Sequence, residues 1–139
     1  MIYTPVIVDI VIALLAAGFG TATVDIATVY SNLSNYYIVN YWGIDHYNLG
    51  HISGAIQYTP GTDLKTTTNL LTLPTDKTIV VYCYTGQTSA HIAAYLKLLG
   101  YDAKTLTYGV NCFAYDWMVG NGMTHFDAGY VMGYPYVTN

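Results

Sequence analysis

The sequence predicts an α/β fold, a mainly parallel sheet of five strands with helices on both faces, preceded by an extra N-terminal helix. Segments with strand and helix character alternate along the 139 residues, which is typical of layered α/β domains. The segment TIVVY at 78–82 is apolar without polar alternation, as in a central strand covered on both faces. A helical pattern follows it and ends at Gly100, where glycine commonly closes a helix.

The N-terminal half contains two predicted strands. Residues 6–17 are largely apolar and precede two glycines, which predicts a buried or docking helix. A short strand is predicted at 21–23, and a helix with one apolar face at 24–33. The segment YIVNY at 37–41 has the character of a buried strand, and a short helical turn is expected over 45–49.

The second half continues the alternation. A strand near 55–58 precedes a predicted helix over 64–71. The central strand at 78–82 leads into a helix over 88–99, and a further strand is predicted at 103–106. The order of these segments predicts a layered arrangement with the strand at 78–82 in the middle.

Length and charge limit the class of protein. A chain of 139 residues is expected to form one domain, residues 1–139, with 119–139 as a C-terminal extension. The most apolar stretch, at 6–19, is interrupted by Asp9 and is too short to span a bilayer. It also lacks the positive start of a signal peptide. The net charge of −4 and four scattered lysines provide no basic patch for nucleic acid.

Charged residues are scarce. They make up 9% of the chain, against about 25% in typical soluble domains. Every acid is Asp, every base is Lys, and tyrosine occurs 16 times. Two explanations stay open: an exported or tightly assembled protein with a surface of Tyr, Thr and Asn, or a written sequence that departs from the gene translation. The first explanation favours a periplasmic or extracellular location and makes self-assembly a hypothesis.

Cys83 stands at the carboxyl end of the predicted central strand, in the stretch VVYCYTGQTS. Ligands of parallel sheets bind beyond this end of the strands. Gly86 permits a backbone turn that other residues avoid, so that successive amides can form an anion-binding nest at the helix N-terminus. Such a nest favours the nucleophilic thiolate and would also hold a persulfide sulfur. On these residues alone, a cysteine packed as a small apolar side chain explains the pattern equally well.

The surrounding motifs resemble the rhodanese family. The segment GHISGAI at 50–56 resembles the family's GHIPGA motif, with Ser53 in the place of proline. The segments IVVYCYTGQTSA and AAYLKLLGYDAKTL are similar to the family's active-site loop, the following helix and the next strand. The form CYTGQTS resembles one branch of bacterial rhodanese-like proteins, and YGVN at 108–111 corresponds to the family's glycine-rich loop. The resemblance covers about residues 21–118.

This resemblance implies a sulfurtransferase. Cys83 would be the catalytic nucleophile in ping-pong covalent catalysis, taking sulfur from a small sulfur-containing donor and passing it as a persulfide to a thiol or cyanide acceptor. The resemblance implies no organic cofactor and no metal, and the two cysteines lack metal-site spacing. The implied substrate-binding residues are Tyr84, Thr85, Gly86, Gln87, Thr88 and Ser89.

The chain departs from the family pattern at its anion-binding positions. Catalytic rhodaneses read C-x-x-G-x-R, but Thr88 takes the place of the arginine. The family's D-x-R corresponds here to Asn40-Tyr41-Trp42, and the later arginine of phosphatase relatives corresponds to Ser89. Without a guanidinium, bidentate recognition of an oxyanion is lost. We therefore expect polysulfide or persulfide donors rather than thiosulfate.

Asn40, Trp42, His51 and Cys112 are the further pocket or structural candidates. For His51 we favour a structural hydrogen bond over a role as catalytic base. Cys112 borders the expected site and is either a resolving thiol for Cys83 or a loop cysteine without a role. The second is favoured because no C-x-x-C spacing is present. The sequence indicates no partner for His46 or His125.

Two further hypotheses belong to other functional classes. A catalytically weak rhodanese fold could serve as a structural subunit of an exported assembly, such as a filament or a cell-surface layer. Alternatively, Cys83 and Cys112 could form a thiol redox module.

Overall fold

The computed structural model describes residues 3–138, and their side chains from Ile7 onward. The helices are α1 (Tyr3–Ala17), α2 (Ile26–Ser31), α3 (Ile44–Leu49), α4 (Gln87–Leu98) and α5 (Tyr115–Gly120). The strands are β1 (Thr23–Val24), β2 (Tyr36–Asn40), β3 (Ile56–Gln57), β4 (Thr78–Tyr82) and β5 (Ala103–Leu106). Short 3₁₀ helices connect several of them.

The five strands form one sheet in the order β1-β5-β4-β2-β3, and every pairing is parallel. β4 lies in the middle, with alternate side chains in two cores. Val80 and Tyr82 pack in one core, whereas Ile79 and Val81 pack in the other. α2 and α5 cover the first face, and α4 covers the second. The predicted parallel α/β fold is confirmed, and it explains why β4 has no polar alternation.

Parallel pairing brings the ends of β2, β4 and β5 to one edge of the sheet. Asn40 is in register with Tyr82, and Val81 is in register with Thr105. The segments that follow these three strands therefore lie beside one another, although they are distant in the sequence.

The helix predicted over residues 64–71 is wrong. Turns occupy this segment, ending in a 3₁₀ helix at Leu70–Thr72. Leu64 has a φ of +63°, and its amide donates to Asn69 Oδ1 at 2.8 Å. The Thr68 hydroxyl bonds the Lys65 carbonyl at 3.3 Å. Hydroxyl and amide side chains here compete for backbone groups that a helix would use, and β-branched threonines favour helix weakly.

The first strand and helix are shifted from their predicted positions. A 3₁₀ helix at Phe19–Ala22 precedes β1, and α2 is shorter than the helix predicted at 24–33. Asp25 caps α2 by accepting the Thr28 amide at 2.9 Å and the Thr28 hydroxyl at 2.7 Å. The hydrogen bond from the Thr28 amide has the larger effect and the one from the Thr28 hydroxyl the next; together they hold the pKa of Asp25 below its usual range. The cap sets where the helix begins.

α1 docks on the domain and is not buried. Leu14 shares a small cavity with Ala90 and Ala94 of α4, but Ile12 and Leu15 face outward. Of the two alternatives for this segment, docking is observed. Within residues 3–138, none of the helices combines the length and the apolar character that crossing a membrane requires.

Candidate functional site

Cys83 directly follows β4 and is 3% exposed. Its Sγ accepts a hydrogen bond from the Ser89 amide at 3.3 Å, and its thiol donates to Ser89 Oγ at 3.4 Å. The sulfur therefore lies against the first turn of α4, where backbone amides favour negative charge.

The loop from Cys83 to α4 turns at Gly86, which has a φ of +89° and caps α4. This is the turn that the sequence predicts for glycine. Among the described residues, none of the amides of 85–88 donates to a backbone carbonyl. Thr85 is half-buried, whereas Gln87 and Thr88 are exposed. The loop thus presents a set of unpaired donors at a helix N-terminus, the arrangement that binds anions.

The Ser89 hydroxyl that contacts the Cys83 sulfur is paired with a second buried hydroxyl group. Ser89 and Thr105 are both buried, and their hydroxyl oxygens are 2.7 Å apart. The Ser89 hydroxyl also donates to the Gly86 carbonyl at 3.1 Å. Because a hydroxyl can donate and accept, Ser89 can accept from a Cys83 thiol or, after rotating, donate to a thiolate.

The loop after β5 packs onto the Cys83 loop. The Val110 amide donates to the carbonyls of Cys83 and Tyr84 at 3.2 and 2.9 Å. Gly109 has a φ of +58°, and a Cβ there would lie 2.5 Å from the Cys83 carbonyl oxygen and 2.7 Å from the Gly86 nitrogen. Only glycine fits this close approach of two backbones. The glycine-rich loop therefore fixes the back of the candidate site.

Tyr84 lies against two residues that follow β2. Its ring stacks on Trp42, with centroids 4.8 Å apart, and its hydroxyl is 2.6 Å from His46 Nδ1. Burial, and next the neighbouring Cys83, raise the pKa of Tyr84. The sequence indicated no partner for His46, and the structure provides one. The position of His46 in the sequence could have indicated this contact, because His46 lies shortly after β2 and β2 pairs with β4.

The two positions of the family's acid and arginine are buried here. Asn40 is fully buried, and Trp42 is 1% exposed. Asn40 Nδ2 donates to the Tyr82 hydroxyl at 2.8 Å, and the Ile52 amide donates to the same oxygen at 3.1 Å. Burial raises the pKa of Tyr82 to about 12. Hydrogen bonds to a neutral phenol and aromatic stacking thus occupy the positions where the family pattern has an acid and an arginine.

His51 is exposed and contacts α3. Its ring stacks on Tyr47, with centroids 3.8 Å apart, and its Nδ1 donates to the Tyr47 carbonyl at 2.9 Å. These contacts tie the loop after α3 to that helix. Within residues 3–138, no group of three His, Cys or Asp side chains is placed to hold a metal ion.

Cys112 lies in a groove that also contains Thr85 and Gln87 of the Cys83 loop. Cys112 is exposed as a residue, but its thiol donates to the Gly109 carbonyl at 2.9 Å, and partial burial of that thiol raises the pKa of Cys112. Both features stabilise the protonated thiol, which is a poor nucleophile. They argue against a resolving role, although the groove brings Cys112 to the candidate site.

Comparison with known proteins identifies the fold. The chain is similar to a rhodanese-related protein from Thermoplasma volcanium, with 22% identity and a TM-score of 0.59, over 73% of this chain and 94% of that one. A protein from Lactobacillus plantarum has 27% identity and a TM-score of 0.55, over 83% and 95% of the two chains. A NAD-dependent persulfide reductase from A. fulgidus has 22% identity and a TM-score of 0.50, over 61% of this chain and 15% of that one.

Comparison of the sequence with protein families agrees with the structural similarity. The comparison with curated proteins found no match. The Rhodanese-like domain profile matches residues 30–115, a range that runs from α2 to the start of α5 and includes the Cys83 loop. With its parallel sheet and its cysteine loop at the end of the central strand, the chain belongs to the rhodanese-like domain family.

Proposed function

We propose that this protein is a sulfurtransferase that carries sulfane sulfur as a persulfide on Cys83. The observation that supports this most directly is the position of the Cys83 sulfur. It lies at the end of the central strand and accepts the Ser89 amide at 3.3 Å. The unpaired amides of 85–88 provide the field that a thiolate or a persulfide anion needs.

The reaction has two halves. The Cys83 thiolate attacks the outer sulfur of a polysulfide or an organic persulfide, forming a new S–S bond. The donor's S–S bond breaks, and its electron pair leaves with the shortened donor. An acceptor thiol or cyanide then takes the outer sulfur and regenerates the Cys83 thiolate. No external oxidant or reductant is needed, which is the logic of covalent catalysis by an activated cysteine.

The missing guanidinium groups set the choice of donor. Thr88 is exposed and uncharged, and the ammonium groups of Lys77 and Lys104 donate to the carbonyls of Ser34 and Thr21. Thiosulfate is a small dianion that binds best through charge-assisted hydrogen bonds, each contributing roughly 1.5–3 kcal/mol. A polysulfide carries less charge near the transferred sulfur and depends less on such bonds. We therefore propose that polysulfide loads Cys83 better than thiosulfate does.

The test is a loading assay followed by mass spectrometry of the Cys83 peptide. We expect polysulfide to add one sulfur atom rapidly and thiosulfate to do so slowly. Thr88→Arg should raise loading by thiosulfate about 10- to 100-fold, because roughly 1.4 kcal/mol corresponds to a factor of ten. Thr88→Gln is the matched control, since it lengthens the side chain without adding charge. Equal loading by both donors in the unaltered protein would contradict the donor preference.

A second candidate function is a structural subunit of an exported assembly. The observation that favours it is the apolar surface at both ends of the described chain. On α1, Leu15 is 76% exposed, and in the C-terminal tail Tyr136 is 86% exposed. Large exposed apolar patches typically mark association surfaces. Absence of a Cys83 persulfide with every donor, together with concentration-dependent polymers, would favour this alternative.

A further inference from the structure

A groove of about 930 Å³ lies beside the Cys83 loop. Thr85 and Gln87 line one part of it, and His125, Phe126 and Tyr130, from residues 122–130, line another part that forms a second wall. This second wall, the C-terminal segment, lies beyond the part of the chain that the family profile matches. The groove therefore combines a loop inside the matched range with a segment outside it.

The C-terminal segment is anchored on the domain. Met123 is buried in the core, and its amide donates to the Met118 carbonyl at 3.0 Å. The backbone of Phe126 is held on both sides: its amide donates to Asn111 Oδ1 at 3.2 Å, and its carbonyl accepts the Tyr115 hydroxyl at 2.9 Å. These contacts hold the C-terminal segment in position as a wall of the groove.

Asn111 connects this wall to the candidate active site. While its Oδ1 accepts the Phe126 amide, its Nδ2 donates to the Tyr84 carbonyl at 3.3 Å. Tyr84 is the residue after Cys83. The Asn111 side chain thus bridges the C-terminal segment and the Cys83 loop.

The lining indicates the chemistry of the ligand. Four of the ten lining residues are Tyr or Phe, and none is Asp or Lys. The volume is near the upper end of the roughly 300–1,000 Å³ of pockets for organic molecules, far larger than cyanide or thiosulfate requires. Beyond the amides at the Cys83 loop, the lining therefore offers the substituent of a ligand neither a lysine nor a carboxylate to pair with.

We infer that the groove binds the organic part of a thiol whose substituent is uncharged and aromatic or otherwise apolar. The inference rests on the proposed sulfur transfer at Cys83. The thiolate of the bound molecule attacks the outer sulfur of the Cys83 persulfide and forms a new S–S bond. The bond between that sulfur and Cys83 Sγ breaks, and its electron pair stays on Sγ. The products are an organic persulfide and the Cys83 thiolate, and the reverse reaction makes the same persulfide a donor.

The test compares matched acceptors in a single turnover. Cys83 is first loaded with polysulfide, and its discharge is then followed with 4-methylbenzyl mercaptan, with 4-(mercaptomethyl)benzoate and with cyanide. We expect the uncharged mercaptan to discharge Cys83 about tenfold faster than the carboxylate. Equal rates for the two mercaptans would overturn the inference and leave the proposed function intact.

Variants of the C-terminal segment give the second readout. Phe126→Ala should lower the ratio of mercaptan to cyanide discharge about tenfold, since removal of a large aromatic contact weakens binding by this order. Tyr130→Lys should raise discharge by the carboxylate relative to the uncharged mercaptan, which a merely structural role would not do. Tyr134→Ala, an exposed aromatic in the tail, is the control. Unchanged ratios in both groove variants would overturn the inference.

Binding can be measured without sulfur transfer. The inert thioether 4-methylbenzyl methyl sulfide should shift NMR signals of Tyr115 and His125 in the unaltered protein, and more weakly in Phe126→Ala. If Cys83 accepts no sulfur but the thioether binds, the proposed function fails and the groove stands. If Cys83 is loaded and the thioether does not bind at millimolar concentration, the groove inference fails.

Discussion

Ser89 is the side chain that joins the candidate nucleophile to the sheet. Its amide and hydroxyl both contact Cys83 Sγ, and its hydroxyl is 2.7 Å from the Thr105 hydroxyl. When Cys83 is a thiolate, Ser89 can donate to the sulfur while Thr105 donates to Ser89. The pair thus adapts to both protonation states without any movement of the backbone.

We predict that Ser89→Ala lowers the rate of persulfide formation on Cys83 about tenfold. The variant removes one hydrogen bond to a charged group, for which a loss of roughly 1.5–3 kcal/mol is typical, while the amide contact remains. The rate constant of loading by polysulfide, measured by rapid quench and mass spectrometry, checks this. Thr105→Val is the comparison and should lower the rate less, because it removes only the second hydroxyl. An unchanged rate in Ser89→Ala would exclude a role for its hydroxyl.

We also predict that Cys112 reacts slowly with alkylating reagents at neutral pH. Burial raises the pKa of its thiol, and the thiolate is the reactive form. Below that pKa, the labelling rate should rise about tenfold per pH unit. Labelling of Cys83→Ser with iodoacetamide between pH 6 and 10 measures Cys112 alone, and Cys112→Ser measures Cys83 alone. Faster labelling of Cys112 than of Cys83 at pH 7 would contradict the proposed activation of Cys83.

The loops after β4 and β5 form one unit at the sheet edge. Gly109 lies so close to the Cys83 loop that a Cβ would be 2.5 Å from a carbonyl oxygen. Gly86 in turn approaches the amides of Tyr108 and Gly109, where a Cβ would lie 3.2–3.3 Å away. The geometry of the candidate site therefore depends on contact between two connecting loops as much as on the strands.

Gly109→Ala should lower the free energy of unfolding by at least about 2 kcal/mol. A positive φ and an overpacked contact each carry a cost of roughly 1–3 kcal/mol. Urea unfolding at 25 °C measures the change. Gly120→Ala is a matched control, since a Cβ at Gly120 meets no atom within 4 Å, and it should change stability by less than about 0.5 kcal/mol. Equal stabilities of the two variants would refute the close approach as a structural requirement.

The domain exposes apolar side chains at both ends of its described chain. α1 packs one side on α4 and presents Ile12 and Leu15 to solvent. In the tail, Tyr134, Tyr136 and Val137 are also exposed. With charged residues at 9% of the chain, little on this surface opposes association between copies.

If α1 mediates self-association, Ile12→Lys with Leu15→Lys should weaken it at least tenfold. Each buried aliphatic side chain contributes roughly 1.5–3 kcal/mol to an apolar contact, and added charge opposes its burial. Sedimentation velocity over a range of protein concentrations measures the effect. Leu71→Lys is the control, because Leu71 is exposed elsewhere on the molecule. A monomer at all concentrations, or equal effects of both substitutions, would remove the support for an assembly through α1.

Several features of the fold and of the candidate site could be predicted because their signals are local. The five residues of β4 show no alternation of polar and apolar side chains, which is typical of a strand covered on both faces. In the structure, β4 does lie at the centre of the sheet. Gly86 stands between strand and helix, and its φ of +89° is the conformation that glycine adopts readily. Asp25 lies where a capping residue is needed, although the boundary of α2 was not predicted.

Other features arise from contacts between distant parts of the chain. His46 and Tyr84 are 38 residues apart and meet because β2 and β4 pair in parallel. Residues 64–71 contain helix-compatible leucines, but side-chain hydrogen bonds hold them in turns. Which side of α1 is exposed, and where residues 122–130 form a wall of the groove, depend on the surface of the domain against which each segment packs. Periodicity specifies the local backbone and its apolar face, whereas the partner of that face depends on the packing of the whole chain.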